Sequence, residues 1–545
     1  MRRNPLAVVG LFATSLLCLA PGGPPCEDCT DAGPALDAGA PGCRDSVDVD
    51  RFRTLRQLTL DLWGRVPTEA ELRALVDEES VPEATIDALL ASPEFDTFVT
   101  RHHSDLLFPN INGLDFVSPA ALLLPAQYAG AQGDPDRLFN LFVSFYERRE
   151  LYAPCKDEPA EFDENGEPVF EEMADGTRRE GYVLIEPYWA PGTEVKVCAA
   201  EAKTDAASPG GVACDTAQGM FSGECGCGPN LEHCADYTVA LGMIGNLREQ
   251  MMRMVLSPIR EGRPYTDLLT DVHETLNGPL AHYYKHLAPM ALDPLVLVPP
   301  VPPAALADVH YSDAEWVSYE RSPALHSGVL TSLSYLLRFQ TARARANRFY
   351  NAFLCEPFQA PVVALPSPND ACSQEPNLRE RCGCNHCHAR LEPAAAHWGR
   401  FAEAGTMYID PALYPVFEPR CAACAEHPER DCDGICEKFY VTDIGHPKER
   451  PFAGVLKAFE WRGRDEIANL EAGPRKAVEG AIADGRLAAC TVNQLFRRLY
   501  RREPTAEETS QELPAWVSAF QSGGFEFKAL VKSMVMADGY RRMVR

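Results

Sequence analysis

Residues 51–72 read RFRTLRQLTLDLWGRVPTEAEL, and the spacing of their apolar side chains decides the fold class. Phe52, Leu55, Leu58 and Leu62 recur at helical intervals, which puts them on one face of a helix and not on alternating faces of a strand. Gly64 to Pro67 interrupts that period. The helix restarts at once, because Thr68 and Glu71 have the spacing of a capping box, in which each side chain satisfies a backbone N–H of the first turn. Ser92 followed by Pro93 supplies an N-cap and a first-turn proline for another helix through Leu107. Val49 to Phe108 therefore reads as an array of helical hairpins.

The same period returns further along. It runs from Tyr237 to Leu256 and from Ser322 to Leu354, where Leu330, Leu333, Leu336 and Leu337 are predicted to share one face. Thr491 with Gln494 and Thr505 with Glu508 are predicted capping boxes, and Phe525 to Tyr540 reads as an amphipathic closing helix. Between Cys155 and Cys234 the pattern changes to Gly, Pro and Asp with cysteines at 155, 198, 214, 225, 227 and 234. Tyr182 to Ile185 and Val195 to Cys198 are short β-like runs bounded by prolines and glycines, as in a disulfide-stapled insert. No repeat of fixed period is present.

Composition bounds the function. Hydrophobic residues make up 46% of the 545 and charged residues 24%, ordinary for a globular protein and too polar for a multi-spanning membrane protein. The formal net charge of -27 repels phosphate backbones, so nucleic acid is not expected as a partner. Arg2 and Arg3 followed by the apolar run Leu6 to Ala20 read as an export signal. Cys18 ends that run ahead of a Pro, Gly, Ala and Asp mixture, so the segment is read either as cleaved near Ala20 or as leaving a lipidated Cys18 that anchors the chain to a membrane. Export implies the periplasm, outer membrane or cell surface. There, 20 cysteines point to disulfides and haem thioethers.

The chemistry is carried by Cys384, Asn385, His386, Cys387 and His388, which spell CxxCH, the signature of c-type haem attachment. Two thiols one helical turn apart can reach both vinyl groups on one porphyrin edge, and the histidine that follows is held under the iron as its first axial ligand. The competing reading pairs Cys384 and Cys387 in disulfides or on zinc. Cys26 and Cys29 are followed by Thr30, and Cys421 and Cys424 by Ala425, so neither pair is expected to carry haem. Met407, His397, His427 and His446 are the candidates for the second axial position. Cys421, Cys424, Cys432 and Cys436 are expected to form two local disulfides in preference to a zinc site. His282 and His286 lie at i and i+4, but Tyr283 stands where the HExxH zinc motif has Glu, and the pair is read as a surface feature. At least one of the remaining cysteines is expected to stay unpaired, and Cys355 and Cys490, in apolar helical contexts, are the candidates.

From His388 onward, HARLEPAAAHWGRFAEAG resembles the cysteine-histidine motif of planctomycete-type cytochrome c domain proteins, a family also seen in myxobacteria. Glu392-Pro393 stands where that family usually has Asp-Pro. RQLTLDLWGRVPTEAEL with LLASPEF resembles the family's N-terminal domain, LLTDVHETLNGPLAHYY and HSGVLTSLSYLL its central domain, and LFRRLYRREPTAEE with FEFKALVKSMVMADGYRR its C-terminal domain. The resemblance implies one covalent haem c and electron transfer, and names no substrate.

The expected fold is mainly α: several helical sub-domains with a cysteine-rich irregular or β insert and a small cytochrome c-like haem segment. The divisions read from the sequence are an export signal over 1–20, a low-complexity linker over 21–48, an N-terminal helical domain over 49–150, the cysteine-rich insert over 151–235, a central helical domain over 236–355, the CxxCH segment over 356–460 and a C-terminal helical domain over 461–545. Three functions follow in order: an exported haem protein that passes electrons to a redox partner protein, a disulfide-stapled surface binding or scaffold protein without haem, and a haem-dependent oxidoreductase.

Overall fold

Helices dominate the computed structural model, which describes residues 46–48, 50–110, 138–139, 155–216, 218–219, 224–235, 237–288, 297–359, 366–403, 405–427, 429, 431–457 and 462–544. The export segment with Cys18, and Cys26, Cys29 and Cys43, lie outside those residues. Helix α1 (Arg51–Leu62) starts at Asp50, whose carboxylate accepts from the amides of Phe52 and Arg53. The capping box at Thr68 forms as expected and starts α2 (Glu69–Arg73), with Glu71 accepting from the Thr68 amide. Helix α3 (Glu83–Ala91) follows. Ser92 then caps a single turn at Pro93–Phe95 that leads into α4 (Asp96–Leu107). Leu55, Leu58, Leu89 and Phe98 turn inward from these helices.

In the insert, β1 (Tyr182–Ile185) and β2 (Val195–Cys198) pair antiparallel with Tyr182 opposite Cys198. Their apolar cluster is only Val195, Val197, Cys227, Leu231 and Cys234 with three partly buried neighbours. So small a core needs covalent support. Cys155–Cys198, Cys214–Cys225 and Cys227–Cys234 supply it.

Helix α5 (Tyr237–Arg260) joins two cores. Met243 and Leu247 in its first half face one, and Met251 and Val255 in its second half face the other. The antiparallel pair β3 (His273–Leu276) and β4 (Val317–Glu320) is followed by α6 (Leu333–Arg338) and α7 (Ala342–Phe349). Next come α8 (Asn385–Ala396), α9 (Arg464–Ala483), α10 (Arg486–Tyr500), α11 (Leu513–Ser522) and α12 (Phe527–Met536). Leu55, Leu58, Leu62, Leu89, Leu107, Phe349, Trp398, Phe496 and Val531 share one core.

A carboxylate holds this framework from inside. Glu274 is wholly buried and accepts from the Tyr284 hydroxyl, the Leu333 amide, the Gln250 side chain and, at 2.7 Å, the Arg321 guanidinium. Arg321 also donates to the Thr331 carbonyl, so the network ties β3 to α5, α6 and the loop before α6. Glu274→Ala leaves a buried cation without its partner, and unfolding free energy from urea melts should fall by about 3–5 kcal/mol. A loss below about 1 kcal/mol would show that the network does not hold the framework.

Several expectations are corrected. Leu330, Leu333, Leu336 and Leu337 are all buried, but Leu330 and Leu336 enter the first core while Leu333 and Leu337 enter the second. Thr491 is no cap: it lies inside α10 and its hydroxyl donates to the Leu487 carbonyl, while Gln494 donates to Ala352 across the core. Thr505 with Glu508 does form its box. The closing helix breaks at Ala537, whose extended backbone separates α12 from Asp538–Arg541. Cys355 and Cys490 form a disulfide, because the left-handed turn at Cys355 that ends the α7 segment brings it against α10. His282 is not a surface residue: Tyr188 of the insert stacks on it at 3.8 Å, and the His286 ring lies 4.7 Å from it between ring centroids. Burial pushes the His282 imidazole well below its ordinary value and that of His286 to about 4.

Candidate haem-attachment site

The approach to α8 is a stapled loop. Cys372 and Cys382 form a disulfide, and Arg379 fastens the loop to α9 through Asp465 and, at 2.7 Å, Glu466. Burial pushes the Glu466 carboxyl up to about 7 despite that guanidinium. Gly383 follows at φ +80, a left-handed turn that suits glycine and redirects the chain into the helix.

Cys384 is the N-cap of α8, and Cys387 and His388 both return amide hydrogen bonds to its carbonyl. The two thiols thus sit within one helical turn, both partly exposed. Among the described residues they are the only unpaired cysteines. The other 14 form seven disulfides, including Cys421–Cys436 and Cys424–Cys432, so the expected pair of local bridges is present. An oxidised frame has therefore consumed every described thiol except the two of the CxxCH motif, although Cys382 lies only two residues away.

His388 is oriented from within its own helix. Its Nδ1 donates to Glu392 one turn on, and Glu392 is almost fully buried and also accepts from the Arg343 Nε of α7 at 2.9 and 3.2 Å. A histidine fixed at Nδ1 presents Nε2 as its free lone pair, the arrangement that metal-ligating histidines adopt. Glu392 was missed as a site residue in the sequence, although its i,i+4 spacing from His388 is the signal that finds it. Arg343 has no such signal, since only the packing of α7 on α8 brings it there.

The site residues fit a haem c. Cys384 and Cys387 would hold its two vinyl carbons and His388 Nε2 its iron, and when bound it would supply a one-electron couple. Among the described residues no three His, Cys, Asp or Glu side chains form a metal site of their own.

The four candidates for the second axial position are scattered. Met407 is buried in the second core. His397 donates from Nδ1 to the Gly473 carbonyl at 2.7 Å and lines a 230 Å³ cavity with Arg400 and Leu470, where burial lowers its pKa. His427 is exposed beside Glu429 at 3.1 Å, and His446 accepts from the Lys448 amide. Among the described residues, Met407, His397 and His427 make no hydrogen bond, ion pair or ring contact with His388.

Among the described residues no helix is long and apolar enough to cross a membrane. In comparisons with known proteins, a family described as PSCyt2, a protein of unknown function (DUF1549), matches residues 38–112, the segment that contains α1 to α4. No curated protein and no solved structure matches the chain.

Proposed function

We propose that the chain is an exported protein that carries one covalent haem c on Cys384, Cys387 and His388 and transfers electrons in the cell envelope. The observation that carries this reading is selective: seven disulfides take up the other described cysteines, while the CxxCH thiols stay unpaired at the start of a helix whose histidine is already oriented. The disulfides agree with an oxidising compartment. A haem-free scaffold would account for those disulfides and for the Glu392–Arg343 ion pair between α8 and α7, but gives the orientation of His388 by Glu392 no task. The partner is a redox protein, and a lipidated Cys18 would keep the chain at a membrane surface.

Expression with its export segment in a host that matures c-type cytochromes tests this. The purified protein should show a Soret band and sharpened visible bands on reduction, and protein without a Soret band would refute the assignment. The Glu392 contact gives a finer expectation. Its carboxylate enriches the imidazole in electron density and favours ferric iron, so Glu392→Gln should keep covalent haem and raise the midpoint potential by about 60 mV or more, the equivalent of a tenfold change for one electron. A redox titration that returns the parent potential would show that Glu392 does not tune the site.

A further inference from the structure

Although the chain carries net charge -27, five of its arginines line one open cleft of about 650 Å³ between α1, α4 and the end of α10. These are Arg101, Arg497, Arg498, Arg501 and Arg502, with Leu60 and Phe98 forming an apolar wall. Their carboxylate partners divide them into two groups. Arg502 is committed to structure: it grips Glu508 with two hydrogen bonds, and Glu508 is the capping residue at Thr505. Arg497 and Arg498 instead pair with Glu503 at 2.9 Å and Asp105 at 2.8 Å, carboxylates that are 73% and 70% exposed. Ion pairs so exposed contribute little and are readily exchanged for a better anion.

Arg501 and Arg101 are placed by the backbone and by packing. Arg501 takes a left-handed conformation at the C-cap of α10, with its guanidinium largely exposed and anchored at one nitrogen by Asp61. Asp61 is held in turn by the Tyr540 hydroxyl at 2.8 Å. Arg101 has no ion-pair or hydrogen-bond partner among the described residues. Its guanidinium lies over Gly64, where a Cβ would come within 2.7 Å of it, so the absence of a side chain at Gly64 makes its seat. Guanidinium groups match phosphate and carboxylate oxygens in pairs, and a cleft of this volume suits a small molecule.

We infer that this cleft binds a small polyanion bearing two or more phosphate or carboxylate groups, with Arg101, Arg497, Arg498 and Arg501 as its contacts. Titration calorimetry of the full chain at fixed ionic strength, with inorganic tripolyphosphate in one arm and citrate in the other, separates the two chemistries. One of them should bind saturably at one site. Arg101→Ala and Arg497→Ala should each weaken binding about tenfold or more, the loss expected for a charge-assisted contact, and Arg101→Lys should weaken it less. Both arginines are exposed, so thermal melts should match the parent. Should Arg101→Ala melt early, Arg497→Ala decides. No saturable heat with either probe, or parent affinity in Arg497→Ala, would overturn the inference.

Discussion

Replacing both Cys384 and Cys387 with Ala should abolish covalent haem while leaving the disulfide frame intact, because neither thiol takes part in a bridge. Each single variant should retain at most one thioether. His388→Ala should disturb both attachment and spectrum, since the iron loses the ligand that orients the macrocycle. Cys421→Ala and Cys424→Ala serve as controls: each breaks a local bridge far from the motif in sequence, and each should keep covalent haem if it folds. A denaturing gel stained for haem peroxidase activity reads all of these together. A double variant that still stains would remove the motif from the account.

The second large effect is on stability. Cys355–Cys490 closes a loop of 135 residues, and a cross-link of that span restricts the unfolded chain enough to contribute about 5 kcal/mol on the chain-entropy account. Cys227–Cys234 spans seven and should contribute only about 2 kcal/mol on the same account. Urea melts of Cys355→Ser/Cys490→Ser and Cys227→Ser/Cys234→Ser should therefore differ by about 3 kcal/mol, a large share of the 5–15 kcal/mol typical of folded proteins. Equal losses would mean that native-state contacts, and not loop closure, set the value of each bridge.

What could be read from the sequence was local. The boxes at Thr68 and Thr505 and the turn at Ser92 depend on residues within one helical turn, and all three formed. Thr491 had the same spacing, but packing of α10 against Ala352 made its surroundings helical interior and overrode it. The periodicity of Leu330 to Leu337 announced burial without saying that two cores would divide the residues. Cys355 and Cys490 looked like isolated hydrophobes because nothing in sequence marks a partner 135 residues away. His282 looked exposed because the cover comes from Tyr188, in another segment. At the candidate site the proposed attachment residues were named by CxxCH alone, and the structure adds that Cys384 and Cys387 are unpaired. Glu392 was half-legible through its i,i+4 spacing, and Arg343 was not legible at all because it arrives by tertiary packing.

On the proposed function, Cys384 and Cys387 are spared from disulfides in order to bind haem. Peptide mass spectrometry of the protein exported from a maturation-competent host, digested without reduction after alkylation, decides this. The peptide containing Cys384, Cys387 and His388 should carry the mass of one haem and take up no alkylating reagent. Recovery of that peptide with both thiols alkylated, or joined to each other, would contradict it.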